Sequence, residues 1–187
     1  MLNSQQKTGQ DNDDEINIIK EIAKPFWVNS LSEKPPKFVT MTGGTGSGKT
    51  TIRRQKYGKD YVNFDFGEIL SAVKNIVGEH NDQLTRYAVL TCALILEISI
   101  EAKKNIVIEI IGDKKELIVP VIEGMKKIGY DVSSEFISCD PAEAYKRHLN
   151  AVKEDKDYIS SYFTQDSTLH FLYQKLGLGE MPVSDPL

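Results

Sequence analysis

Gly43-Gly44-Thr45-Gly46-Ser47-Gly48-Lys49-Thr50 fills the pattern G-x-x-x-x-G-K-[ST] completely. Residues of these types at this spacing bind polyphosphate. Glycines let the backbone curl until successive N–H groups face one anion. A helix N-terminus adds partial positive charge. Lys49 brings a full charge to the β- and γ-phosphates, and the Thr50 hydroxyl is placed to ligate Mg²⁺. The cradle expected for ATP is thus Gly43, Gly44, Thr45, Gly46, Ser47, Gly48, Lys49, Thr50 and Thr51, with Thr50 as the metal ligand.

Phosphoryl transfer also needs a group that orients or deprotonates an acceptor. Asp65 closes the short apolar run Tyr61-Val62-Asn63-Phe64 and is the candidate base for a hydroxyl acceptor. The plain structural alternative is an N-cap for the helical segment that starts near Gly67. Glu109 is a lone carboxylate inside Ile106-Val107-Ile108-Glu109-Ile110-Ile111. Burying it unpaired is expensive, so it must face a cation, water or ligand. It could hold substrate hydroxyls or bind Mg²⁺ through water; the alternative is a local hydrogen bond to backbone. Glu68 is a weaker substitute for either carboxylate. His80, His148 and His170 are scattered without metal spacing.

These groups need a strand before the glycine loop and a helix after it. Lys37-Phe38-Val39-Thr40-Met41-Thr42 supplies the first, and Thr51-Ile52-Arg53-Arg54-Gln55 opens the second, which should stop at Gly58. Tyr61 to Asp65 reads as the second strand. Ile69, Leu70, Val73, Ile76 and Val77 repeat at helical spacing, and Leu84 to Lys104 reads as a long buried helix. Ile106 to Ile111 has the unbroken apolarity of a central parallel strand. Leu117 to Ile128 is helical with Pro120 near its start. Val132 to Ser138 is a fourth strand, and Pro141 to Lys153 and Tyr158 to Leu176 are further helices. Alternating strands and helices predict an α/β fold: three layers of P-loop NTPase or kinase type, with a mainly parallel sheet of about four strands. The loop, Asp65 and Glu109 all fall at carboxyl ends of strands, where such sheets bind ligands.

Upstream, Met1 to Asp14 reads as a disordered tail, Glu15 to Lys24 as a short amphipathic helix, and Pro25 to Lys37 as a linker. The kinase domain is expected over 37–187. At 187 residues the chain can bury a sizeable core, and its 40% hydrophobic and 27% charged content is ordinary for a soluble protein. A net charge of −4 argues against broad nucleic-acid binding. A local basic patch is still conceivable around Lys49, Arg53, Arg54, Lys56 and Lys59. Cys92 and Cys139 read as reduced core residues. The polar start is no signal peptide, and Tyr87 to Ile100 is too short to span a bilayer. A cytoplasmic location is expected, with no membrane contact.

The order of these motifs resembles the zeta toxin family of P-loop kinases from about Pro36 to Lys153. Gly43 to Arg54 looks like that family's P-loop and following helix. Asn63-Phe64-Asp65 is similar to its acidic strand end, and Asn105-Ile106-Val107-Ile108-Glu109 to its strand ending in a substrate-binding Glu. Val119-Pro120, Lys127-Ile128-Gly129-Tyr130 and Asp140-Pro141 match further landmarks in the same order. The resemblance implies an ATP- and Mg²⁺-dependent kinase. Asp65 would be its base, Glu109 would position the acceptor, and Arg147 or Lys153 would close over the transferring group. The lid would span roughly 147–165. The implied acceptor is a small-molecule hydroxyl, such as one on UDP-N-acetylglucosamine, and the implied partner is an inhibitory antitoxin-like protein. Two departures stand out. Asp113 takes the place of a phosphate-binding Arg, and the lid holds only Arg147, with Lys153 and Lys156 as the other cations in reach. Arg and Lys are not equivalent at phosphate sites. The alternatives are another small-molecule or nucleotide kinase, or a nucleotide-binding switch module with little turnover.

Overall fold

The structure is a computed structural model that describes residues 3–78, 82–111, 115–154 and 165–182. Its elements run α1 (Asn3–Trp27), β1 (Lys37–Gly43), α2 (Lys49–Lys56), β2 (Val62–Phe64), α3 (Phe66–Val77) and α4 (Leu84–Glu101). They continue with β3 (Ile106–Ile111), α5 (Lys115–Lys127), β4 (Asp131–Phe136), α6 (Pro141–Glu154) and α7 (Gln165–Lys175). Among the described residues the sheet has four strands in the order β2-β3-β1-β4, every pair parallel. This is the expected α/β layering, with helices on both faces.

Side chains alternate across a strand, so the central strands β1 and β3 each feed two cores. Phe38, Ile106, Ile108 and Ile110 join the larger one, with Ile69 of α3, Ile95 of α4, Met125 of α5 and Leu172 of α7. Val39, Met41 and Val107 join a smaller one with Tyr57, just past α2. Glu109 lies two residues beyond Val107, on the α2 side. Phe64 pairs with Ile108, so Asp65, one residue on, comes level with Glu109.

The N-terminal segment differs from the reading of a tail, a short helix and a linker. One helix runs from Asn3 to Trp27. Its later turns bury Ile22 and Ala23 in the main core, and α1 packs against α4 and α3. A packed turn removes the cost of nucleation, and the helix propagates from it into polar sequence that would not start one alone. Pro25 stands in the last turn, where it leaves the Glu21 carbonyl without its helical donor. In α5, Pro120 lies deeper than expected and leaves the Glu116 carbonyl without its helical donor. The Tyr173 hydroxyl of α7 donates to that carbonyl at 3.5 Å and to Leu117 O at 3.0 Å. Cys92 is buried, but Cys139 is only half-buried, so just one of the two free cysteines is a core residue. The C-terminal helix is described over Gln165–Lys175; its expected start at Tyr158 lies outside the described residues.

Candidate active site

The glycine loop connects β1 directly to α2. Gly46 and Gly48 take left-handed φ values of 72° and 98°. Gly48 caps α2 without a side-chain bond, and no acid stands in the helix's first turn. The first amides of α2 therefore lack both an intrahelical acceptor and a competing carboxylate. Ser47 Oγ is buried in the loop with no hydrogen-bond partner. Lys49 is 6% exposed, and its ammonium donates to Gly43 O at 2.9 Å and Gly44 O at 2.8 Å. A lysine has three donors, so one is left for a ligand. Burial holds the Lys49 pKa below its ordinary value, although Glu109 and Asp65 pull the other way. An orphaned hydroxyl, free helix amides and a spare ammonium donor together suit a polyphosphate.

Thr50 and Arg53 carry the site toward the neighbouring strands. Thr50 Oγ1 donates to Glu109 Oε2 at 3.0 Å. With its proton committed there, the lone pairs of Thr50 are left for a metal ion, which fits the expected Mg²⁺ ligand. Arg53 is fully buried. Its Nε donates to Glu109 Oε1 at 2.5 Å, Nη1 to Asn63 Oδ1 at 3.2 Å, and Nη2 to Asp65 Oδ2 at 3.3 Å and Glu68 Oε1 at 2.9 Å. Burial opposes the charge, but Asp65, Glu68 and Glu109 outweigh it and raise the Arg53 pKa. Glu109 is driven up by burial and by Asp65, against Arg53 and Thr50. Burial would also raise Glu68, but Arg53 and Arg54 win and hold it below its ordinary value. Deleting the guanidinium would strand charged acids, at a cost of about 3–5 kcal/mol.

Asp65 serves in two ways. Its Oδ1 accepts the Glu68 amide at 3.0 Å and caps α3. Its Oδ2 faces Arg53. The structural alternative for Asp65 is thus real, and a cap does not stop the second oxygen from facing an acceptor. For Glu109, the local backbone bond gives way to side-chain partners on α2.

Arg147 lies on α6 and is tied to Glu143 at 3.0 Å, half-exposed. Its Nη1 stands 3.8 Å from where a Cβ on Gly48 would be, so its guanidinium lies beside the phosphate loop. Lys153 is exposed. Thr51 is exposed in the first turn of α2, and Thr45 is half-buried. Asp113, Lys156, His80 and the lid from 155 to 164 fall outside the described residues. The supposed basic patch is a correction: Lys49 and Arg53 are buried, Arg54 pairs with Glu68, and Lys56 pairs with Glu135. Among the described residues, no cluster of three or more His, Cys, Asp and Glu is arranged as a metal site. The acids here surround a guanidinium instead.

Arg53 is the residue that sequence reasoning passed over as a site member. The available signal was spacing, because a residue four after Lys49 lies on the same helix face.

A model of the zeta toxin family matches residues 27–172. The chain belongs to the zeta toxin family. Membership places it among kinase-like P-loop phosphotransferases. A solved structure from a study of the PezAT chromosomal toxin–antitoxin system of Streptococcus pneumoniae has the same fold. The likeness covers 90% of this chain and 74% of that one, at 19% identity and a TM-score of 0.56. No curated protein matches the chain. In this zeta toxin fold, α6 presses its backbone on the phosphate loop. A Cβ on Gly46 would stand 2.2 Å from Ala144 O. Gly46→Ala is therefore expected to destabilise the protein by about 1–3 kcal/mol through strain and displacement of α6. Gly44, with nothing within 4 Å, should tolerate alanine. Thermal unfolding of the two variants checks this; equal midpoints would refute the contact.

Proposed function

We propose that this protein is an ATP- and Mg²⁺-dependent kinase that transfers the γ-phosphate to a hydroxyl of a small molecule. One observation carries the reading: an unbroken line of hydrogen bonds, Thr50–Glu109–Arg53–Asp65, joins the phosphate loop to the acid at the end of β2. Lys49 and the loop amides would hold ATP, and Thr50 would ligate the metal ion, which neutralises charge on the phosphates. Asp65 would take the acceptor's proton as the new O–P bond forms and the bond from the γ-phosphorus to the bridging oxygen breaks, releasing ADP. Glu109 fixes the Thr50 hydroxyl and borders the acceptor side. Arg147 would close over the transferring group after releasing Glu143. A UDP-sugar such as UDP-N-acetylglucosamine is the proposed acceptor, and an antitoxin-like protein the proposed inhibitor. Among the described residues no helix is long and apolar enough to cross a membrane, and the proposed setting is the cytoplasm.

The test is incubation with ATP–Mg²⁺ and a mixture of nucleotide sugars, sugars and nucleosides, read by mass spectrometry for an added phosphate. The acceptor that gains mass separates a UDP-sugar kinase from another small-molecule or nucleotide kinase. A second reading, a nucleotide-binding switch with little turnover, draws on the pairing of Arg147 with Glu143. ATP binding with no product from any acceptor would favour it.

The pH dependence follows from Glu109. It must be ionised to accept from both Arg53 and Thr50, and its folded pKa lies above the ordinary 4.5. The acid limb of kcat/KM is expected above that value, and a limb at or below it would remove Glu109 from the site. The folded protein binds this proton more tightly than the unfolded chain does. Glu109's contribution to stability therefore falls as pH rises from 4.5 through its folded value. Glu68 has the opposite sign: its contribution is present above its ordinary value and is lost as pH falls through the depressed one.

A further inference from the structure

We propose that Arg53 is the positioning residue of this site: one buried guanidinium that fixes the acid at the end of β2 relative to the metal-side hydroxyl on α2. The proposal rests on the kinase reading above and adds the residue that holds its two halves in register.

The geometry separates this role from ordinary charge balance. Asp65 and Thr50 stand on different elements and are not hydrogen-bonded to each other. What links them is Arg53, through Asp65 Oδ2 at 3.3 Å on one side and Glu109 Oε1 at 2.5 Å on the other. Glu109 then passes the constraint to Thr50 through its second oxygen at 3.0 Å. Asn63 and Glu68 engage a second and a third edge of the guanidinium, so its plane is held from several sides. A planar fork can bond several acceptors at fixed angles; an ammonium is a point charge and cannot span them. Balancing charge would need only a cation, whereas this network needs the shape of arginine.

Loss of the fork has a defined consequence. Glu109 would keep only Thr50, and its carboxylate would be free to turn and carry the hydroxyl's proton away from its present direction. Asp65 would keep only the Glu68 amide. The groups facing Glu109 are Arg53 and Thr50 from α2 and Asp65 beyond β2, with Lys49 within electrostatic reach.

The test is Arg53→Lys, which keeps a charge in the core. ATP affinity, followed with a fluorescent ATP analogue, is expected to stay within about threefold, because the loop contacts are separate. The transfer rate kcat is expected to fall about 10²-fold, the scale for misplaced reacting groups. A folded Arg53→Lys protein with wild-type kcat, or with ATP affinity lost in step with kcat, overturns the proposal. If Arg53→Lys does not fold, the Arg53 Nε–H resonance of the otherwise native chain decides. It should move in Glu109→Gln and also in Thr50→Val, which acts through the far oxygen of the same carboxylate; no response to Thr50→Val overturns the proposal. Wild-type protein that phosphorylates no acceptor would instead sink the kinase reading, and the two resonance measurements would still judge Arg53.

Discussion

Asn at position 65 is expected to cut phosphoryl transfer by about 10²–10⁴-fold while leaving the fold standing. The substitution separates the two duties of Asp65. As an N-cap, Asn is about equal to Asp, and its Oδ1 can still accept the Glu68 amide. As a base, Asn is useless, because an amide does not take a proton from a hydroxyl near neutral pH. The bond to Arg53 is lost, because an amide NH2 stands where Oδ2 accepted it, but Arg53 keeps Glu109, Asn63 and Glu68. Asp65→Asn should therefore stay folded with its cap, melt below the wild type by the lost ion pair, and bind ATP as well, yet transfer almost nothing. Asp65→Ala should lose transfer and also about 1 kcal/mol from the missing cap. Thermal unfolding, ATP titration and product mass for both variants form the check. Wild-type turnover by Asp65→Asn would reduce Asp65 to a capping residue.

Lys49→Ala is expected to have the largest effect on transfer, a fall of at least about 10³-fold, with weakened ATP binding besides. Two losses combine. The β- and γ-phosphates lose a positive charge in a site shielded from water, where it counts for most. The carbonyls of Gly43 and Gly44 also lose the donor that draws the loop closed. Stability should change little. The removed charge was held against desolvation, so the relief offsets the missing hydrogen bonds. Calorimetric titration with ATP–Mg²⁺ and the transfer assay together test this. An alanine variant that binds and transfers normally would mean that the loop does not carry the phosphate.

How much of this was legible in the sequence depends on what each residue does locally. The glycine loop between β1 and α2 was legible because its conformation follows from local backbone freedom. Asp65 and Glu109 stood out because each is a charge against apolar strand sequence, and parallel pairing brings strand ends to one edge. Their meeting at a single guanidinium was not legible. Arg53 sits in a run of cations, which looks like solvated surface unless the strands opposite are known to supply acids. The N-terminal helix was hidden for a related reason. Polar composition around Met1 to Asp14 signals disorder, and only packing of Ile22 and Ala23 against other elements supplies what the segment lacks alone. Cys139 shows the reverse error: an apolar stretch suggested burial, but β4 is a sheet edge among the described residues and the chain leaves it half-covered.

None of α6's own residues is buried, yet its main chain rests on Gly46 where a single methyl would not fit. That makes the helix a light element seated on the most tightly shaped part of the protein. Any ligand that tightens or spreads the loop must tilt the helix with it, and the helix carries Arg147 along. Occupancy of the nucleotide position would then be announced at the molecular surface by a mechanical lever, with no cost in core packing to resist the movement.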